Sequence, residues 1–215
     1  MQRPTLQRFN YALGIACTLM FGVCGLAARL AAEDGGTVLK SAESMILRDP
    51  GTPRAGAVNP DVILVEYFDY NCPFCKQLNP VLTALLESDA KVALVYKEWP
   101  ILSETSKYAA ESALAAGWQG KYPAAHEALM RASHLSSHMQ IESLLQAAGV
   151  DLPALQKDRA AHGAEIRALL QRNDSEAGAL GLRGTPGLLV GRHVINGVYE
   201  LAGLQQAVAA ARLDR

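Results

Sequence analysis

From Pro60 onward the apolar residues fall into blocks whose period changes along the chain. Val62-Ile-Leu-Val-Glu-Tyr-Phe is β-branched and aromatic almost throughout and predicts a buried strand. Lys76 to Leu86 switches to helical spacing through Leu78, Val81, Leu82 and Leu85. Lys91-Val-Ala-Leu-Val-Tyr then reads as a second strand, ending near Trp99-Pro100. Strand, helix, strand predicts a βαβ unit with parallel strands.

From Ser103 to Leu180 hardly a strand signal appears. Lys107 to Ala116 is alanine-rich, which favours helix. Ala124 to Ser133 and Gln140 to Ala148 follow, with Gly149 as a stop. A longer helix runs from about Pro153 to Leu180, with Gly163 and Asn173 as the places where it would break. Strand patterning returns at Leu188-Leu-Val and His193-Val-Ile, which flank Gly191-Arg192, a pair suited to a type II′ turn. A last helix from about Glu200 carries Leu201, Leu204 and Val208 on one face. The order is β-α-β, helical insertion, β-β-α: an α/β fold with a mixed sheet flanked by helices and an inserted all-helical domain.

The first sixty residues are patterned differently. Arg3 and Arg8 precede an uncharged apolar run from Tyr11 to Ala28, and no acidic residue appears before Glu33. That is the pattern of an export signal, with small residues at Gly25-Leu26-Ala27 and Leu30-Ala31-Ala32 for cleavage. The run is also close to the length that spans a bilayer, so an uncleaved anchor is the alternative. Residues 33–59 form a weakly patterned lead-in with a short helix around Ser41 to Leu47, ended by Asp49-Pro-Gly-Thr-Pro. The expected organisation is a signal or anchor over 1–32, the lead-in over 33–59, sheet and helix over 60–102, the helical insertion over 103–180, and a closing β-β-α part over 181–215.

Composition narrows the function. Half of the 215 residues are apolar, and 20 basic against 21 acidic side chains give a net charge of −1. No basic field for nucleic acid exists, so partners must be argued from a site. Of the four cysteines, Cys17 and Cys24 lie in the apolar leader, leaving Cys72 and Cys75 in the exported part. A loop this short restricts the unfolded chain little, so in an oxidising compartment the pair reads as chemical rather than structural.

Disulfide exchange needs an attacking thiolate and a second thiol one step away. Cys72-Pro73-Phe74-Cys75 at a helix start supplies both: residues three apart share a face, and the unpaired N–H groups and the dipole favour a thiolate. Pro73 loses no hydrogen bond in a first turn. Cys72 is expected to be the exposed nucleophile and Cys75 the resolving thiol. The alternative is half of a zinc site, but structural zinc takes four ligands. His134 and His138 sit in a polar stretch that reads as a solvated helix face. No metal and no cofactor is expected. Gly184-Thr185-Pro186-Gly187 precedes the hairpin, and pattern alone leaves it an ordinary trans turn.

Val65-Glu-Tyr-Phe-Asp-Tyr-Asn-Cys-Pro-Phe-Cys-Lys, Tyr96-Lys-Glu-Trp-Pro-Ile and Gly184-Thr-Pro-Gly, in this order and with a helical insertion between them, resemble the DsbA-like branch of the thioredoxin superfamily. Within it the chain is most similar to exported copper-sensitivity suppressor (ScsC-like) proteins. The resemblance implies a cis Thr185–Pro186 bond facing Cys72, with the Thr185 backbone free to pair with a substrate strand. It also implies that Glu66 is a buried acid that relays a proton to Cys75, with Lys97 as its charge partner. The resemblance further implies periplasmic thiol–disulfide exchange with exported proteins and a membrane redox partner. Pro73-Phe74 departs from the Pro-His of the strong oxidant DsbA, and Thr before the proline is also seen in DsbC-like isomerases, which act as oligomers. Oxidase, isomerase and reductase therefore stay open, as does the oligomeric state. A Cu(I)-binding role for the same two thiols is the rival from another class.

Overall fold

The computed structural model describes Asp49 and residues 51–214. The export segment with Cys17 and Cys24, the helix around Ser41 to Leu47 and most of the lead-in lie outside the described residues. Among the described residues five strands form one mixed sheet: β1 (Arg54–Gly56), β2 (Val62–Phe68), β3 (Val92–Glu98), β4 (Gly187–Val190) and β5 (His193–Asn196). Their order is β1-β3-β2-β4-β5, with β2 and β3 parallel and every other pairing antiparallel. The crossover between the parallel pair is helix α1 (Pro73–Ser88), as parallel strands require.

Side chains alternate across a strand, so β2 and β3 each present two sets. Val62, Leu64, Val92, Leu94, Leu188 and Val190 pack under Leu78, Leu82 and Leu85 of α1 and under Leu204 and Val208 of α6 (Leu201–Leu213). That is the sheet's own core. A second core lies in the insertion, built from α2 (Glu104–Ala116), α3 (Tyr122–Arg131), α4 (His138–Ala147) and α5 (Leu152–Ala179). Phe68, Tyr70, Cys72 and Cys75 belong to this second core. The cysteine end of α1 therefore sits where the two cores meet.

Helix α5 is continuous over 28 residues and breaks at neither Gly163 nor Asn173. Asn173 is spent elsewhere: its buried amide donates to the Glu98 carbonyl at 2.9 Å. Asp174 accepts from the Trp99 indole at 2.8 Å, and Glu176 accepts from Tyr67 at 3.1 Å. One turn of α5 thus latches the insertion to the ends of β2 and β3. Strand β1 carries no pattern in its three residues Arg54-Ala-Gly and is held as an edge by β3. The β4–β5 hairpin closes through Gly191 and Arg192, with Gly191 at φ +58°, where its missing Cβ avoids both strain and Ala211.

Candidate active site

Cys72 is the N-cap of α1 and Pro73 its first helical residue. The turn before it is pinned from three sides. The Asp69 carbonyl accepts from the Cys72 N–H at 3.0 Å, while its carboxylate accepts from the Asn71 and Leu102 N–H groups at 2.7 and 2.9 Å. The Asn71 side chain exchanges hydrogen bonds with the Leu135 backbone, accepting at 2.8 Å and donating at 3.1 Å. Asp69 and Asn71 were not singled out by the sequence reading. The signal was there: two short polar side chains between a buried strand and a helix start are cap and turn formers.

Both cysteines are free thiols. The sequence reading expects an exposed Cys72, but it is only 3% exposed and Cys75 is fully buried. The reason is the loop facing them. Thr185–Pro186 is a cis peptide, and the Cys72 thiol lies 3.1 Å from the Thr185 carbonyl, which covers it. Hydrogen bonds from Cys75, from the Thr185 side chain and from the N–H groups of Phe74 and Cys75 outweigh burial and bring the Cys72 thiol down to about 6. Burial, the bond to Cys72 and the Glu66 charge push the Cys75 thiol far up. The two sulfurs are thus strongly differentiated, one poised as a thiolate and one held as a thiol.

Glu66 is fully buried, and neither carboxyl oxygen has a partner among the described residues. Burial first and the Cys72 charge second push it up to about 8. Lys97 is not its partner. In the parallel register Glu66 lies beside Tyr96 and Lys97 beside Tyr67, so the Lys97 side chain projects from the opposite face. There its ammonium sits between Glu176 at 2.9 Å and Asp49 at 3.2 Å. His134 and His138 do not share a helix: His134 lies in the loop before α4, and His138 stacks on Tyr108 at 3.6 Å.

Beneath the cysteines runs a buried polar chain. The Asn79 amide donates to Glu127 at 3.2 Å, which turns its oxygen toward His126 Nε2, also at 3.2 Å. Burial takes His126 down to about 3, so the ring is neutral, carries its proton on Nε2 and accepts at Nδ1 from Tyr70 at 3.1 Å. The single Tyr70 proton is then used. The 2.9 Å contact between Tyr70 and Glu98 Oε1 needs a proton from Glu98, which also accepts from Tyr122 at 3.1 Å. Glu98, pushed well up by burial, is therefore a neutral acid. Glu98→Gln should lose about 1 kcal/mol at pH 7 in urea unfolding, because its amide serves only one of the two hydroxyl contacts made at Oε1. Glu98→Ala should fall below Glu98→Gln by about 2 kcal/mol or more, because two buried hydroxyls lose a partner.

Residues 63–209 match the DSBA-like thioredoxin domain. Among solved structures, the chain is 40% identical to a thioredoxin-like oxidoreductase from Silicibacter pomeroyi DSS-3, with a TM-score of 0.75, covering 78% of this chain and 96% of that one. A periplasmic thioredoxin-like protein from Salmonella enterica serovar Typhimurium is 28% identical with a TM-score of 0.68, covering 80% and 96%. The catalytic domain of Proteus mirabilis ScsC is 25% identical with a TM-score of 0.68, covering 82% and 98%. The chain spans about a quarter of the length of the curated relatives it matches, among them the Na(+)/H(+) antiporter NhaA 1 of Salinispora arenicola, 30% identical over 154 residues, 70% of this chain and 23% of that protein. The family match and the shared architecture together mean that the chain belongs to the DsbA-like thioredoxin family and is similar to ScsC.

Proposed function

We propose that Cys72 and Cys75 exchange disulfides with exported proteins. The observation that carries this reading is the Cys72 thiol, brought down to about 6 and lying 3.1 Å from the carbonyl of the cis Thr185–Pro186 pair. The Cys72 thiolate attacks one sulfur of a substrate disulfide, forming a mixed disulfide and expelling the other substrate sulfur as a thiolate. Cys75 then gives its proton to Glu66 and attacks Cys72 Sγ, forming the Cys72–Cys75 disulfide and releasing the second substrate thiol. The chain loses two electrons and the substrate gains them; the reverse sequence oxidises a substrate dithiol.

The electrostatics time the second step. The Cys72 charge helps hold both Glu66 and Cys75 in their protonated forms. Once Cys72 is tied in a mixed disulfide that charge is gone. Glu66 then ionises more readily just as Cys75 must lose its proton, so the acid becomes a base when one is needed.

Thr185 and Pro186 hold the substrate chain against Cys72, and a membrane thiol–disulfide partner restores the working redox state. Residues 1–32, read as an export signal or an uncleaved anchor, would carry the chain to the periplasm, a reading supported by the periplasmic Salmonella relative. No helix among the described residues is long and apolar enough to cross a membrane.

Redox titration against glutathione tests this reading and its direction. A thiol near 6 is a thiolate at pH 7, favouring the reduced form by about 1.4 kcal/mol, equivalent to about 30 mV. This contribution vanishes below pH 6 and grows toward pH 9. The thiol lies nearer thioredoxin's, at about 7, than DsbA's, at about 3.5. The expected potential therefore falls between about −270 and −120 mV, nearer the former, on the reducing or shuffling side. Absence of a reversible couple, together with tight Cu(I) binding, would support the copper-binding role instead.

A further inference from the structure

Beside the cis-proline loop lies a groove of about 600 Å3, walled by Phe74, Val198 and the Thr185–Pro186 pair, with Asn196 at one side. Phe74 and Val198 are 55% and 43% exposed and together give the groove an apolar wall open to solvent. Among the described residues, the charged side chain lining the groove is Arg183. It is exposed and forms no hydrogen bond or ion pair with any described residue. Arg172, Arg159 and Arg212, by contrast, are engaged with Asp49, with Glu111, and with Asp61 and Asp89. Arg183 precedes Thr185 by two residues and lines the same groove as Phe74 and the Thr185–Pro186 pair.

We propose that this groove selects an extended polypeptide segment whose reactive cysteine is flanked by an acidic side chain, with Arg183 as the specificity-determining residue. The inference rests on Cys72-dependent exchange and adds which substrates exchange fastest. Phe74 and Val198 accept apolar side chains, which gives affinity without sequence choice, whereas the guanidinium discriminates. It attracts a carboxylate, with which it pairs through two parallel hydrogen bonds, and repels lysine or arginine at the same place. Among the described residues no acidic side chain lines the groove to neutralise it. The pair is solvent-exposed, so the preference is modest and falls with salt.

The test uses the full chain and short disulfide-bonded peptides identical except for one residue, Glu, Gln or Lys, placed on either side of the reactive cysteine. Wild type should react about two- to five-fold faster with the Glu than with the Lys peptide at low salt, and the ratio should shrink toward one as salt is added. Arg183→Ala should bring the ratio to about one and Arg183→Glu should invert it. Equal rates in wild type, or a preference that survives both substitutions, would overturn the proposal. The Gln peptide separates this from the underlying exchange reading. If wild type reacts with it and Cys72→Ala does not, exchange stands whatever the charge ratio; if neither reacts, exchange itself fails.

Discussion

Replacing Cys72 with Ala should reduce exchange with a reduced or scrambled test protein to the uncatalysed background. The reason lies in how unlike the two sulfurs are. Only Cys72 touches the cis-proline loop, and only its thiol is brought into the range where a thiolate exists at neutral pH. Cys75 cannot take over: it is fully buried, and burial and its bond to Cys72 keep it protonated. Cys75→Ser should behave oppositely. It should still attack and then stall, leaving a mixed disulfide visible on a non-reducing gel, because the resolving thiol is missing. Retained activity in Cys72→Ala, or trapping through Cys75, would refute the assignment of roles.

Glu66→Gln should make the protein more stable and a slower catalyst. In the folded state Glu66 titrates at about 8, against 4.5 for the free side chain. Below pH 4.5 the group is protonated in both states and contributes no pH dependence. Between 4.5 and 8 the unfolded chain ionises while the folded one stays protonated, so the folded state binds more protons and stability falls as pH rises. At pH 7 the loss is about 3 kcal/mol, which Gln removes. The gain should appear in urea unfolding at pH 7 and vanish at pH 4.5. Catalysis moves the other way. Gln cannot accept the Cys75 proton, so resolution of the mixed disulfide should slow by about a hundred-fold, the low end for a positioned proton acceptor, while the first attack by Cys72 is retained. Equal stability gains at both pH values would contradict an acid held neutral by burial.

Much of this architecture is legible in the residue pattern, for identifiable reasons. The β2 and β3 runs announce themselves because both faces are buried, and α1 because one face is. β1 is silent: three residues on an edge, held by pairing with β3, leave no periodicity to read. Helix α5 is legible as helix but not as unbroken. Asn173 reads locally as a helix breaker, and only the Glu98 carbonyl, 75 residues away in sequence, explains why it is not. The site divides likewise. The Cys72–Cys75 spacing at a helix start points to chemistry by itself, whereas the cis Thr185–Pro186 bond and the depth of Glu66 were reached only through family resemblance. Pairing Lys97 with Glu66 failed because the β2–β3 register, which sends them to opposite faces, is invisible in either strand alone. The cover over Cys72 was missed for a similar reason: it is supplied by a loop more than a hundred residues away.

The most direct measurement is a pH titration of the two thiols in the reduced protein, followed by thiolate absorbance and by mapped iodoacetamide alkylation. One thiol should titrate near 6 and map to Cys72, with Cys75 unmodified until the protein is unfolded. Two thiols titrating together near the ordinary value of about 8.5, or alkylation landing first on Cys75, would contradict the account.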